Sequence, residues 1–224
     1  MPLLDSILRL SQDAKTDQNL PVKDLFDAVI TLLTRTRSGR ETHVFAKTDS
    51  WHVLFDRQLR EWYPEAPFIL LYRSPAEVIA SHNRLPGMHA VPGLLPAGWF
   101  DLEQNDVMAM GRGEYLAHVL RAYYLRYISM LRTDNYVVPI SYHDGPAVML
   151  NTVSRICGMQ FSPEVMQFML ERSAFHSKNS AIPFTGDEVP QALISPGDNV
   201  QRAFEELKIC HANYSYGKAL QRVR

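Results

Sequence analysis

Apolar residues at Leu3, Leu4, Ile7 and Leu8 recur at helical spacing, so Leu3–Leu10 is predicted to open the chain as a helix. Val22, Leu25, Phe26, Val29, Ile30 and Leu33 repeat the pattern from Pro21 to about Thr36, with Pro21 suited to the first turn. Ser38-Gly39-Arg40 breaks it. His43–Lys47 then reads as a short strand, and Trp51–Trp62 as a helix with Leu54, Phe55, Leu59 and Trp62 turned inward. Pro64 stops that helix, and the apolar run Phe68–Tyr72 has the length of a buried strand. A further helix covers Glu77–Arg84. Strand, helix, strand, helix is the signature of a βαβ unit with a parallel sheet.

The rhythm then lapses. Leu85–Arg112 carries four glycines and three prolines with little periodicity, which predicts a long functional loop. Gly113–Arg132 is the longest helical pattern. Tyr136–Tyr142 reads as a third strand, its internal Pro139 pointing to an edge position. Pro146–Cys157 and Pro163–Arg172 read as helices, Ser173–Asn199 as loop, and Val200 onward includes a last helix. The fold class is α/β, a parallel sheet flanked by helices. At 224 residues the chain is expected to form one domain.

Composition narrows the partners. Hydrophobic residues make up 46% and charged residues 21%, with a net charge of −1, so nothing favours a general nucleic-acid surface. The two cysteines, Cys157 and Cys210, form no CxxC pair, which argues against a disulfide framework or a thiolate metal site. The histidines show no metal-ligand spacing, so no metal is assigned. No apolar run reaches membrane-spanning length and the first residues lack a signal-peptide pattern, so a cytoplasmic protein with no membrane partner is expected.

The chemistry concentrates after the second strand. Phe68–Tyr72 ends in Arg73; Pro75 opens a helix, and Ser81 lies eight residues past the arginine. Ligands of open α/β sheets bind at the carboxyl ends of strands. Arginine reads phosphate with a planar fork of donors, and helix N-termini favour anions. The segment is therefore half of an anion site suited to phosphate. The plain alternative for Arg73 is an ion pair with an acid such as Glu77, and for Ser81 a solvated or back-bonded helix serine.

Several segments together resemble the PAPS-dependent sulfotransferases, where PAPS is 3′-phosphoadenosine 5′-phosphosulfate. Arg73 to Ser81 resembles that family's 3′-phosphate motif, and Ala46-Lys47-Thr48-Asp49-Ser50 resembles its Lys-Thr-His segment. Tyr142-His143-Asp144 resembles the Tyr-Glu-Asp after the third strand, and Glu171-Arg172-Ser173-Ala174-Phe175 resembles the Thr-Ser-Phe segment that holds adenine. The resemblance runs from about Leu3 to Asp187. It implies a P-loop NTPase-like sulfotransferase fold, with PAPS as co-substrate and no metal. It implies binding roles for Arg73, Ser81, Tyr142, Ser173 and Phe175, and a catalytic role near the sulfuryl group for Lys47.

Two departures accompany it. The chain has no glycine-rich loop of the kind whose consecutive N–H groups cradle a 5′-phosphosulfate. It reads as a single sulfotransferase-like domain, N-terminally truncated by one βα unit. The histidine of Lys-Thr-His is replaced by Asp49, which leaves Asp49 itself or His52, about one helical turn on, as the base. A carboxylate near its reference pKa of ~3.9 is a poor base toward an alcohol.

Each residue also has a bland reading: Lys47 as an exposed strand end, His52 as helix packing, Tyr142 as a rim tyrosine, Phe175 as a loop anchor. Two functions follow. One is a sulfotransferase moving a sulfuryl group from PAPS to a hydroxyl or amine of an unidentified small-molecule acceptor, with part of the Leu85–Arg112 segment lining the acceptor pocket. The other is a non-catalytic remnant that binds nucleotide weakly, or associates with another chain, a homodimer included. A nucleotide kinase ranks lower, because it needs the same missing loop and a carboxylate for Mg²⁺ at a strand end, where this chain has Lys47 and Arg73.

Overall fold

The structure, a computed structural model, describes residues 2–13, 21–36, 38–175, 181–184 and 195–215. It divides into two compact units, Met1–Pro64 and Glu65–Arg224.

In the first unit, helices α1 (Pro2–Asp13) and α2 (Val22–Leu33) pack together. Of the predicted apolar positions, Leu4, Ile7, Leu8, Val22, Phe26 and Val29 are buried, whereas Leu3, Leu25 and Leu33 are exposed. The segment read as one helix from Trp51 divides in two. A tight 3-10 turn covers Ser50–Phe55, and α3 follows over Asp56–Trp62. Burial falls on Trp51, His52 and Phe55, while Leu54 is only half-covered. Phe26 packs against Trp62 with ring centroids 5.1 Å apart, which ties α2 to α3.

The predicted strand His43–Lys47 is not a strand: residues 41–49 carry no regular structure, and Val44 and Phe45 are 57% and 58% exposed. A strand is stable only with a ladder partner.

The second unit is mostly helical around a small parallel sheet. Among the described residues the sheet has two strands, β1 (Phe68–Tyr72) and β2 (Val137–Ser141), with register running from Phe68↔Val137 to Tyr72↔Ser141. Pro139 pairs with Leu70 inside this ladder, and it is tolerated because a two-stranded sheet has only edge strands. Helix α4 (Pro75–Arg84) leaves β1 with Ser74 at its N-cap and Pro75 in its first turn.

The stretch predicted as an unpatterned loop folds into two short turns, Met88–Ala90 and Ala97–Phe100, and helix α5 (Gln104–Ala109). Ala90, Leu95, Phe100 and Val107 are buried there, so the segment belongs to the core despite its glycines. The long α6 (Arg112–Thr133) buries Tyr115, Leu116, Val119, Leu120, Tyr123, Tyr124 and Ile128 along one broad face. A turn over Tyr142–Asp144 leads to α7 (Gly145–Ile156), followed by α8 (Pro163–Ser173) and α9 (Asp198–Ala212). α9 packs along α6 through Val200, Ala203, Phe204 and Leu207. Part of the predicted 173–199 loop lies outside the described residues. Among the described residues no helix is long and apolar enough to cross a membrane.

Candidate functional site

The sequence-predicted residues fall in both units: Lys47, Asp49 and His52 in the first, Arg73, Ser81, Tyr142, Ser173 and Phe175 in the second. The second unit holds the more developed geometry.

There, the parallel register sets Tyr72 beside Ser141, so the next residues along the two strands, Arg73 and Tyr142, leave the sheet together. Ser141 and Asp144 form a reciprocal cap at this point. The Ser141 hydroxyl accepts from the His143 N–H, and the Asp144 carboxylate accepts from the Ser141 N–H at 2.8 Å. Gly145 follows at φ +77°, a left-handed conformation open to glycine, and lets the chain turn into α7. The cap fixes Tyr142 under the guanidinium, with Arg73 Cζ 4.4 Å from the ring centroid. From α6, the Tyr124 hydroxyl donates to the Arg73 carbonyl at 2.8 Å and anchors the strand end.

Glu77 completes the cluster. Arg73 Nη2 lies 3.4 Å from Glu77 Oε1, and His143 Nε2 donates to Glu77 Oε2 at 2.9 Å. The Arg73 and Glu77 side chains are 15% and 19% exposed, while His143 is 62% exposed. The ion pair anticipated as the plain alternative for Arg73 is thus present, alongside an aromatic brace. Ser81 is half-buried, four residues past Glu77 and on the same face of α4. Tyr72, next to Arg73, is tied to α9 through its hydroxyl, 2.7 Å from His211 Nδ1.

Ser173 and Phe175 engage their own segment. Ser173 Oγ donates to the Leu170 carbonyl at 2.6 Å at the end of α8, and Phe175, 39% exposed, bridges Pro183. A groove of about 470 Å³, lined by Ile79, Asn83, Ala117, His118, Arg121 and Val200, also lies in this unit. Ile79 and Asn83 project some 200° around α4 from Glu77 and Ser81, so the groove is on the opposite side of that helix from the arginine cluster.

In the first unit, Lys47 is exposed within the irregular segment and Asp49 is half-buried at the N-cap of the Ser50–Phe55 turn. His52 is 1% exposed, and its Nε2 donates to Asp5 Oδ1 at 3.2 Å. Its Nδ1 is also buried and has no hydrogen-bond partner among the described residues. Burial pushes the His52 pKa down, against the opposing hydrogen bond and charge of Asp5 and the charge of Asp49. Asp5 also accepts from Trp51 Nε1 at 2.6 Å and from Arg9 Nε at 2.8 Å. Burial works to raise the Asp5 pKa, but these donors, the Arg9 charge and His52 hold it below the usual carboxylate range. The imidazole proposed as a base is a core group locked onto a carboxylate, and neither ring nitrogen reaches solvent.

Sequence reasoning treated Glu77 only as the plain alternative for Arg73 and His143 only as part of a motif. Glu77 was detectable, since position i+4 from Arg73 on the following helix is within ion-pair reach. His143 and Tyr124 reach the cluster through the parallel pairing and the packing of α6, neither of which is a local signal. Comparison of the chain with protein-family models, with curated proteins and with solved structures finds no match.

Proposed function

We propose that this chain is a sulfotransferase-like protein that binds PAPS, or the product adenosine 3′,5′-bisphosphate, at the Arg73 end of β1. The observation that carries the reading is a guanidinium at the carboxyl end of a parallel strand, braced against the Tyr142 ring 4.4 Å away. An arginine held this way loses little side-chain freedom on taking a phosphate, and its planar fork matches two phosphate oxygens. In this reading Arg73 and Ser81, on one side of the β1–α4 junction, take the 3′-phosphate. Ser173 and Phe175 supply a hydroxyl and an aromatic face for adenine. The β1–α4 junction beside a parallel β2 is a fragment of a P-loop NTPase-like sulfotransferase sheet, which is the finer fold proposed.

Sulfuryl transfer breaks the bond between sulfur and the bridging oxygen of the 5′-phosphate. That oxygen leaves with the electron pair, an acceptor hydroxyl or amine bonds to sulfur, and its proton goes to a base. Such reactions are driven by positioning and by cations facing the equatorial oxygens. His52, the imidazole candidate for that base, is buried and held by Asp5. That observation favours a second reading, in which the chain binds the nucleotide without transferring the sulfuryl group.

Two measurements test the proposal. Calorimetric titration of the full chain with adenosine 3′,5′-bisphosphate is expected to show binding that weakens at least ~10-fold in Arg73→Ala. Absence of heat at millimolar nucleotide sinks the binding reading, and an unchanged affinity in Arg73→Ala sinks the site. Labelled PAPS incubated with phenol, alcohol and amine acceptors separates the two readings: transferred label supports the enzyme, and binding without transfer supports the remnant.

A further inference from the structure

Resting on the nucleotide reading, we infer that Glu77 makes the Arg73 site specific for a phosphate carried next to a free ribose hydroxyl. Arg73 takes the phosphate and the Glu77 carboxylate accepts the hydroxyl. The reason lies in the cluster's charge. Arg73 and Glu77 are adjacent at 3.4 Å, longer than the 2.7–2.9 Å of a strong charge-assisted pair. Both are largely covered, and the carboxylate's field is only partly diluted by water.

A bare phosphate dianion arriving on Arg73 meets that negative charge a few ångströms away and is repelled. A ligand with a hydroxyl beside its phosphate puts a hydrogen between the two anions. The repulsion then becomes a charge-assisted hydrogen bond. His143 holds the second carboxylate oxygen at 2.9 Å and so sets the direction of the first.

Three other polar groups near the cluster have partners of their own. On α6, the Tyr124 hydroxyl serves the Arg73 carbonyl. Beyond β2, the Asp144 carboxylate serves the Ser141 amide. On α9, His211 serves the Tyr72 hydroxyl at the end of β1. Glu77, adjacent to the guanidinium, is the charged acceptor placed to read a neighbouring hydroxyl. Sites built around a hydroxyl reject analogues that lack it, because the buried acceptor is then left unpaired.

The test compares adenosine 3′,5′-bisphosphate with its 2′-deoxy analogue by calorimetry on the full chain. The 2′-deoxy compound is expected to bind at least ~10-fold more weakly. Glu77→Met, which keeps the side chain's length and removes the acceptor, is expected to bring the two affinities within ~2-fold, mainly by strengthening binding of the deoxy compound. Equal affinities in the unaltered chain, or a preference that survives in Glu77→Met, overturn the inference and leave the nucleotide reading standing. If neither nucleotide binds at millimolar concentration, the nucleotide reading falls and takes this inference with it.

Discussion

The Arg73 guanidinium lies 4.4 Å from the centroid of the Tyr142 ring, although the two residues are far apart in sequence. The parallel pairing of Tyr72 with Ser141 causes this, because it makes Arg73 and Tyr142 the next step along both strands. Cation–π contacts contribute about 0.5–2 kcal/mol depending on burial, and here the ring also fixes the guanidinium's orientation. Tyr142→Leu is expected to weaken binding of adenosine 3′,5′-bisphosphate by ~3–10-fold, with Tyr142→Phe close to the unaltered chain. Calorimetry of the three proteins decides it. Equal binding by the leucine variant would show that the ring does not position Arg73.

Asp5 organises the first unit in a comparable way, since one carboxylate takes donors from Trp51, His52 and Arg9. Removing it strands the buried Trp51 N–H and the His52 ring. Asp5→Ala is expected to destabilise the unit by ~1–3 kcal/mol, the usual penalty for buried polar groups left unpaired. Amide exchange followed by mass spectrometry localises the effect: peptides from α1 and from Ser50–Phe55 should exchange faster. An unchanged rate in both would mean that the hydrogen bonds contribute nothing net.

The packing of α9 on α6 carries a third expectation. Leu207 is fully covered, and Phe204 beside it meets Tyr124 and Tyr72 with centroids 5.7 Å and 6.1 Å away. Leu207→Ala is expected to cost ~2–5 kcal/mol in urea unfolding, the range for a large-to-small change in a filled core. Ile209 on the same helix is 61% exposed, and Ile209→Ser should change stability by under ~0.5 kcal/mol. If the two variants behave alike, α9 does not dock on α6 in solution.

Helical patterning located α1, α2, α4, α6, α7, α8 and α9, and all of these except α8 bury residues in the core. Patterning failed at His43–Lys47, where β-prone residues lack a ladder partner, a condition that local sequence does not encode. It also failed over Leu85–Arg112, where glycines and prolines obscured short helices that nonetheless bury Phe100 and Val107. In the candidate site, Arg73 was legible because a strand end and a helix start flank it. Its contact with Tyr142 depends on strand register, and the withdrawal of His52 into the core depends on where Asp5 lands, so both emerge only with the fold.

Acid should destabilise the protein through three histidines. Burial lowers the pKa of His52, opposed by Asp5 and Asp49, and that of His82, opposed by a hydrogen bond with the Leu85 backbone. It also lowers that of His211, opposed by the charge of Asp144. The sign is the same in each case. Native histidines with depressed pKa values stay neutral while unfolded ones, near 6.5, take up protons. Their contribution is therefore complete above pH ~6.5 and is lost as pH falls through the lower native values, at no more than ~1.4 kcal/mol per group per pH unit. Asp5 adds its own loss only in stronger acid, because its pKa is depressed from 3.8. His82 offers a clean probe, since its Nδ1 accepts the Gly87 N–H at 2.9 Å and an asparagine oxygen can take that place without titrating. The urea midpoint should drop between pH 7.5 and pH 5.5 in the unaltered chain, and drop less in His82→Asn. A midpoint that holds or rises over that interval would contradict the burial of these rings.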